Sequence, residues 1–465
     1  MEKEVKENKM GTMPIGKLVL NVSLPMMISM LVQALYNVVD SVYVAHLSEN
    51  ALTAVSLAFP MQNLMIAVAA GTGVGINSLL SRSLGEKNFK RVEQTAVNGI
   101  FLALLSFVAF IFVGIFLVPV FFRSQTQVEE ILEGGIRYLQ ICCIVSPGLF
   151  FGITFERLLQ STGRTMLTMI TQSLGAIVNI ILDPIMIFGY LGCPKMGVAG
   201  AAAATVIGQI VGMLLSFYFC RRKNPEVPVH FRGFRPNGEI IRGIYAVGVP
   251  SIIMQAISSV MTYGVNRILI AFSTTATAVF GVYFKLQSFV FMPVFGLNNG
   301  LVPIQAYNYG ARNRERVMKT FKTGAVFALC IMGVGVLAFQ LIPQVLLGFF
   351  DPSEEMLRMG VPALRIISIC FLPAAFSIVA SSLFQALGNG VYSMINSFAR
   401  QLVVLLPVAK LLSLSGRLEL VWLAFPIADV VSVTIAALCL RRIYRLKIKP
   451  LGEEPPADDP QEQDD

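Results

Sequence analysis

Twelve stretches of this chain are apolar enough, and long enough, to cross a lipid bilayer. They fall at about 18–45, 52–79, 95–120, 134–157, 166–190, 198–220, 244–271, 278–306, 320–348, 361–387, 392–413 and 419–440. In hydrocarbon each backbone N–H and C=O must be satisfied internally, so a spanning segment is either a helix or part of a closed barrel. These runs exceed the length of a barrel strand and do not alternate polar with apolar residues, so they read as helices. Composition agrees: of 465 residues 55% are hydrophobic and only 14% charged, against about 25% charged in a soluble globular protein. The expected fold class is an all-α polytopic membrane protein.

The net charge is +9, which in a soluble chain would raise the question of nucleic acid. Here the distribution answers it. With an even number of spans and the N-terminus inside, most Lys and Arg fall in cytoplasmic segments, with the largest cluster in the middle loop: Arg221, Arg222, Lys223, Arg232, Arg235 and Arg242. External loops hold few, among them Arg123, Lys195, Arg358 and Arg417. This is the positive-inside pattern, so both termini are expected in the cytoplasm, the basic residues set topology, and no nucleic-acid partner is implied. The first seventeen residues are polar, and no signal peptide is read there.

The chain is internally duplicated. GEKNFKRVEQT at 85–95 returns as GARNRERVMKT at 310–320, pairing Gly85 with Gly310, Asn88 with Asn313, Arg91 with Arg316, Val92 with Val317 and Thr95 with Thr320. Pro25 in SLPMMISM pairs with Pro250 in GVPSIIMQ, and LLQSTGRT at 158–165 with LFQALGNG at 383–390. Each half then has six spans. Six is even, so the halves share one orientation and the repeat is parallel rather than inverted, which suits a carrier with its site between or within the halves. The organisation read from this is a cytoplasmic tail at 1–17, a first six-helix bundle at 18–220, a linker at 221–243, a second bundle at 244–445, and an acidic tail at 446–465 read as disordered.

The repeated motif follows the second span of each half. Glycine there can end the helix while the basic residues hold the turn in the cytoplasm. GTGVG at 71–75 superficially resembles a dinucleotide loop, but it sits inside an apolar span with no strand before it; close helix packing through small residues accounts for it better. Seven cysteines, mostly in spans, form no CxxC pair, and His46 and His230 are the only histidines, so no metal site is expected. No HExxH or GxSxG occurs, and no catalytic residue is assigned; the chain does not read as an enzyme.

Charge inside a membrane is costly and usually functional. Four carboxylates fall within spans: Asp40, Glu156, Asp183 and Asp429. Asp40 and Asp183 lie at similar depth in the outer half of one bundle and can meet. Gln33, Tyr36 and Asn37 share a face with Asp40, and Asn179 stands one turn before Asp183. Pro184 frees a carbonyl one turn back, and Thr205 in the sixth span adds a hydroxyl. Burial disfavours the charged form of a carboxylate, which lets it trade a proton for another cation. The plainer alternative is a satisfied hydrogen-bond network, and for Glu156 an ion pair with the adjacent Arg157.

The second half carries the opposite sign in Arg267, Lys285, Arg400 and Lys410, with Asp429 as candidate partner. These either pair and snorkel or line a cavity. Met26, Met30, Met61 and Met65 in the first two spans offer the soft surface that promiscuous binders use, unless they face lipid or packing.

Taken together, SLPMM (23–27), the paired turns, NIILDPIMIFG (179–189), GVAGAAAAT (197–205) and VPIQAYNYGA (302–311) resemble the multidrug and toxic compound extrusion (MATE) transporters, in their bacterial MepA-like branch. The resemblance covers about residues 15–445. It implies two pseudo-symmetric six-helix bundles around a central cavity, and export of bulky, often cationic and aromatic compounds coupled to H⁺ or Na⁺ entry. It places cation coupling on Asp40 and Asp183, with Asn179, Thr205 and Glu156 at accompanying polar positions. The seventh and tenth spans lack the carboxylates that some members carry there, which favours coupling through the first bundle.

The reading is therefore a secondary active antiporter of the bacterial cytoplasmic membrane, monomeric, with small organic molecules and the bilayer as partners and no cofactor beyond the coupling ion. Its substrate cavity is expected to draw on Gln33, Tyr36, Asn37, Met61, Met65, Arg267, Lys285 and Asp429. The alternative is a flippase of related fold for lipid-linked or polysaccharide cargo, which would need a basic cavity.

Overall fold

A computed structural model of the protein describes residues 8–452. All regular structure among them is helical. A short α1 (Lys9–Thr12) precedes α2 (Ile15–Ala45) and α3 (Glu49–Gly85). Next, α4 (Phe89–Phe112) runs through a π-helical stretch into α5 (Val118–Gln125), followed by α6 (Glu129–Ile144), α7 (Pro147–Gln160), α8 (Thr165–Phe188) and α9 (Val198–Lys223). The second half begins with α10 (Gly238–Leu269), α11 (Thr274–Gly310), α12 (Arg314–Leu341), α13 (Pro343–Gly348), α14 (Glu354–Ser368) and α15 (Phe371–Ala386). It closes with α16 (Gly390–Phe398), a π-helical stretch at Ala399–Leu405, α17 (Leu406–Ser413), α18 (Leu418–Trp422) and α19 (Ala424–Ile443).

Ten helical runs are long and apolar enough to span a bilayer, and two bent pairs raise the number to the expected twelve. The bent pairs are α6–α7 at 43° and α14–α15 at 47°, the fourth span of each half. Pro147 opens α7 and Pro373 lies in the first turn of α15; proline, lacking an N–H, is tolerated at such starts and not before them.

The duplication is written into the helix ends. Ser48 and Ser273, at equivalent positions, cap α3 and α11 by accepting from the N–H three residues on. Asn88 and Asn313 do the same for α4 and α12, each at 3.0 Å. The motif glycines, however, do not end their helices by turning left-handed. That conformation falls two residues later, on Lys87 and Arg312, both at φ 55°. Gly163 and Gly388, at φ 77° and 76°, are the pair that closes a helix in the way glycine usually does.

Gly85 and Gly310 serve close approach instead. A Cβ on Gly85 would stand 1.9 Å from the carbonyl oxygen of Tyr307, and one on Gly310 would stand 2.1 Å from that of Arg82. Each motif glycine thus packs on the backbone of the other half. The same logic explains GTGVG. A Cβ on Gly71 would meet Ile252 at 2.5 Å, and one on Gly75 would meet the Ile244 carbonyl at 2.0 Å, both on α10. Their equivalents Gly296 and Gly300 pack on Met27 and Ser23 of α2. So α3 crosses to the second half and α11 crosses to the first.

These contacts gather at the end bearing the arginine-rich turns. Burial in α3 concentrates from Met65 onward, and in α11 from Phe291 onward, while their opposite halves bury only one face, each against its own half: Ala51 and Ala58 in the first, Phe280 and Tyr283 against Phe339 and Phe425 in the second. The two bundles therefore meet at the basic end and part at the other. Three boundaries differ from expectation. The linker is shorter, 224–237, because α9 and α10 continue past the hydrophobic core on basic and polar turns. Residues 8–17, expected as tail, hold α1 and the start of α2. Residues 446–452, expected in the disordered acidic tail, are helical, with Ile448 buried and Lys447 Nζ donating to the Leu387 carbonyl at 3.0 Å; the rest of that tail, 453–465, lies outside the described residues.

Substituting Gly75→Ala should lower thermal stability by about 1–3 kcal/mol, since the added methyl meets backbone that cannot yield. Gly16→Ala, where a Cβ meets nothing within 4 Å, should leave the Tm unchanged. Equal Tm values for the two variants in detergent would contradict the glycine-packing account.

Candidate functional site

The first bundle builds a polar pocket where α2, α8 and α9 converge. Glycines make the convergence possible: a Cβ on Gly175 would lie 2.9 Å from the Gly208 carbonyl, and one on Gly208 would lie 3.1 Å from Cβ of Asn179. This close contact brings Thr205, one turn before Gly208, against Asn179. With its amide nitrogen toward the carboxyl, Asn179 donates to Asp183 Oδ2 at 3.0 Å and accepts from Thr205 Oγ1 and N, each at 3.0 Å. Asp183 is fully buried. Asp40, half-buried on α2, lies within hydrogen-bonding reach of Asp183, and Tyr36 within reach of Thr205.

Asp40 and Asp183, from different spans, thus meet, and Asn179 and Thr205 complete one cluster with them. One oxygen of each carboxyl, Oδ1, is buried without a protein donor. Two carboxyl groups are acceptors unless a proton stands on one of them, so a hydrogen bond between them holds a proton. A small cation bridging the two oxygens would satisfy the same geometry.

Glu156 belongs to a second cluster. It accepts from Gln172 Nε2 at 2.7 Å and Thr171 Oγ1 at 3.3 Å, and Ser29 of α2 donates to Gln172 in turn. The expected alternative for it, a pair with Arg157, is not what the side chains do: Arg157 turns to Gln160 at 2.8 Å and to Asn299 of the second half at 3.3 Å. Successive residues on a helix point about 100° apart, and the two side chains part accordingly.

The expected cavity residues divide. Gln33 and Asn37 are exposed and lie outside the aspartate cluster, Tyr36 is half-buried against it, and Met61 is half-buried. Met65 does not line an open cavity: it is 3% exposed in the bundle core and meets Cys143 Sγ. Asp429 is likewise removed, being fully buried and held by both Nε and Nη2 of Arg400 at 2.6 and 3.1 Å. Arg267 is exposed, and exposed Lys285 sits 6.0 Å from the Phe350 ring. Three neighbours escaped the sequence reading. Gln62 of α3 donates to Tyr138 at 2.9 Å and to Cys142 at 3.6 Å, and both partners are close enough to Asp40 to feel its charge. Their signal was an amide and a phenol inside apolar spans, one of them a turn away from a cysteine.

The family model MatE matches the chain twice, over residues 25–185 and 250–411, an offset that reproduces the internal repeat. The chain belongs to the MatE family. It is a membrane transporter, not an enzyme. It is 24% identical over 424 residues to the multidrug export protein MepA of Staphylococcus aureus strain MSSA476, covering 88% of this chain and 90% of that protein. It is 25% identical over 435 residues to MepA of Staphylococcus haemolyticus strain JCSC1435, covering 91% and 92%. A solved multidrug resistance MATE transporter of the MOP superfamily in an outward-facing conformation superposes with a TM-score of 0.89 at 27% identity, covering 97% of this chain and all of that one.

The Arg400–Asp429 pair separates structural from functional charge. Arg400→Ala should destabilise the protein by about 3–5 kcal/mol, because it strands a buried carboxylate. The double variant Arg400→Met with Asp429→Leu should recover most of that loss. A double variant as unstable as the single one, in thermal unfolding, would show that the pair does more than satisfy itself.

Proposed function

We propose that this MATE-family transporter is a secondary active antiporter that exports bulky, cationic or aromatic drug-like compounds in exchange for H⁺ or Na⁺ by alternating access. The observation that carries the reading is the Asp40–Asp183 pair, two carboxyl groups from separate spans with donorless buried oxygens. A purely structural network would satisfy those atoms with protein donors, as Asp429 is satisfied by Arg400. A pair left open is a place where a monovalent ion enters and leaves.

The cycle follows from charge. With the bundles apart on the side away from the basic turns, the pair takes up H⁺ or Na⁺ from outside. Neutralising the pair weakens its attraction for a cationic substrate, which leaves outward. The loaded protein turns, releases the ion on the basic side, and the recharged pocket accepts substrate there. The ion drives the change only through unequal affinity for the two states. Placing the basic end in the cytoplasm, with both termini, follows the positive-inside rule. The MepA relatives support the cytoplasmic membrane and the drug-like cargo. The protein works as a monomer, since one chain holds both bundles and the aspartate cluster.

A flippase for lipid-linked or polysaccharide cargo is less well supported, because Arg400, one of the cations it needs, is spent on Asp429. Asp40→Asn and Asp183→Asn should each cut ion-driven efflux of a fluorescent organic cation at least about tenfold in proteoliposomes, with folding intact. Imposing pH and sodium gradients separately identifies the ion. Wild-type efflux by both variants under both gradients would refute the assignment.

A further inference from the structure

The motif arginines Arg91 and Arg316 are equivalent in the repeat, yet they hold different things. Arg91 reaches Glu86 at 3.4 Å within its own turn. Arg316 instead donates from Nη2 to the backbone carbonyls of Met10 at 2.9 Å and Met13 at 2.8 Å, and from Nε to Asn308 Oδ1 at 2.9 Å. Asn308 also donates to the Met10 carbonyl, at 3.0 Å. The second bundle thus grips the backbone of a segment that belongs, by chain connection, to the first.

The other side of that segment is held by the first bundle and by Glu226 of the linker, which is itself tied to that bundle through Arg164. Asn8 donates to the Thr162 carbonyl at 3.3 Å and to Glu226, which also takes Arg164 at 3.2 Å. Lys9 donates to Asn21 at 2.7 Å. Between the two sets of bonds the Met10 side chain is wholly buried, joining the core that runs across both halves. Gly11 lies so near Tyr307 that a Cβ there would stand 3.1 Å from its ring.

We infer that residues 8–13 form a latch that holds the two bundles together at the basic end, with Arg316 as the positioning residue that keeps it seated. Parting the bundles at this end requires Thr162 and Glu226 to move away from Asn308 and Arg316, and the segment cannot follow both. Because it continues through Pro14 into α2, it stays with the first bundle and lets go of Arg316 and Asn308. The latch therefore biases the protein toward the state open on the opposite side, and its release is a step of every turnover. This rests on alternating access.

The test measures the separation of the basic ends by pulsed electron paramagnetic resonance. Spin labels go on cysteines placed at Lys90 and Glu315, exposed equivalent positions in the two halves, with exposed Cys193 and Cys330 changed to Ser. Arg316→Ala should increase the population with separated basic ends at least about tenfold, the effect of losing even one of its charge-assisted hydrogen bonds on a two-state equilibrium. Met10→Ser removes only the apolar plug, leaves Arg316 in place, and should shift the population in the same direction. Arg316→Lys, which keeps the charge but not the forked geometry, should restore less than half of the shift. If both Arg316→Ala and Met10→Ser keep the wild-type distance distribution while the wild type switches with ion conditions, the latch is refuted and alternating access stands. If the wild type shows one distance under every ion and substrate condition, the alternating-access reading itself has failed.

Discussion

Two backbone contacts hold the architecture together. At the basic end, Gly85 of α3 lies on the Tyr307 carbonyl and Gly310 of α11 lies on the Arg82 carbonyl, so each half closes on the main chain of the other. In a membrane there is little hydrophobic force to press helices together, and van der Waals contact between close backbones has to supply the attraction. Glycine permits that approach at the crossing, and Gly71, Gly75, Gly296 and Gly300 extend it along α3 and α11. The bundles are thereby pinned at one end and free at the other. A single constraint fixes the pseudo-two-fold axis and the side on which the cleft opens.

Within that shared scaffold the two halves diverge in chemistry. The first bundle brings Asp40 and Asp183 together beside Asn179 and Thr205 and leaves carboxylate oxygens without protein donors. The second bundle has a buried carboxylate of its own in Asp429, but Arg400 satisfies it with two bonds. The first arrangement is the one the proposed ion exchange calls on; the second is internally neutral and gains nothing from a cation. Duplication supplied two frames, and the side chains made one of them electrostatically open.

The span number, the repeat and the meeting of Asp40 with Asp183 were legible in the sequence because each follows from periodicity, length or depth. The glycine of the repeated turn was legible as important but not for its reason: sequence shows that a glycine follows a helix, whereas close approach depends on a helix in the other half of the chain. Met65 was misplaced for a related cause, and of the two readings open for Asp429 the structure takes the pairing with Arg400 over the cavity. Position along a helix gives depth, but which face turns toward the cleft is decided by packing partners such as Cys143 and Arg400 that lie distant in sequence. Residues 8–13 looked like polar tail because four residues of helix and one buried methionine leave no periodic signal.

The helix that registers all of these features is α2. It carries Asp40 in the aspartate cluster, Ser29 in the chain through Gln172 to Glu156, and Met27 and Ser23 beneath Gly296 and Gly300. At its start it is continuous, through Pro14, with the segment gripped by Arg316. Contacts this tight do not deform by degrees, because a carbonyl within van der Waals reach of a glycine has nowhere to slide until the whole helix shifts. A change in charge at Asp40 and a change in contact at the basic end are therefore events on one continuous helix, with Pro25 between them as the point where an i→i−4 bond is missing.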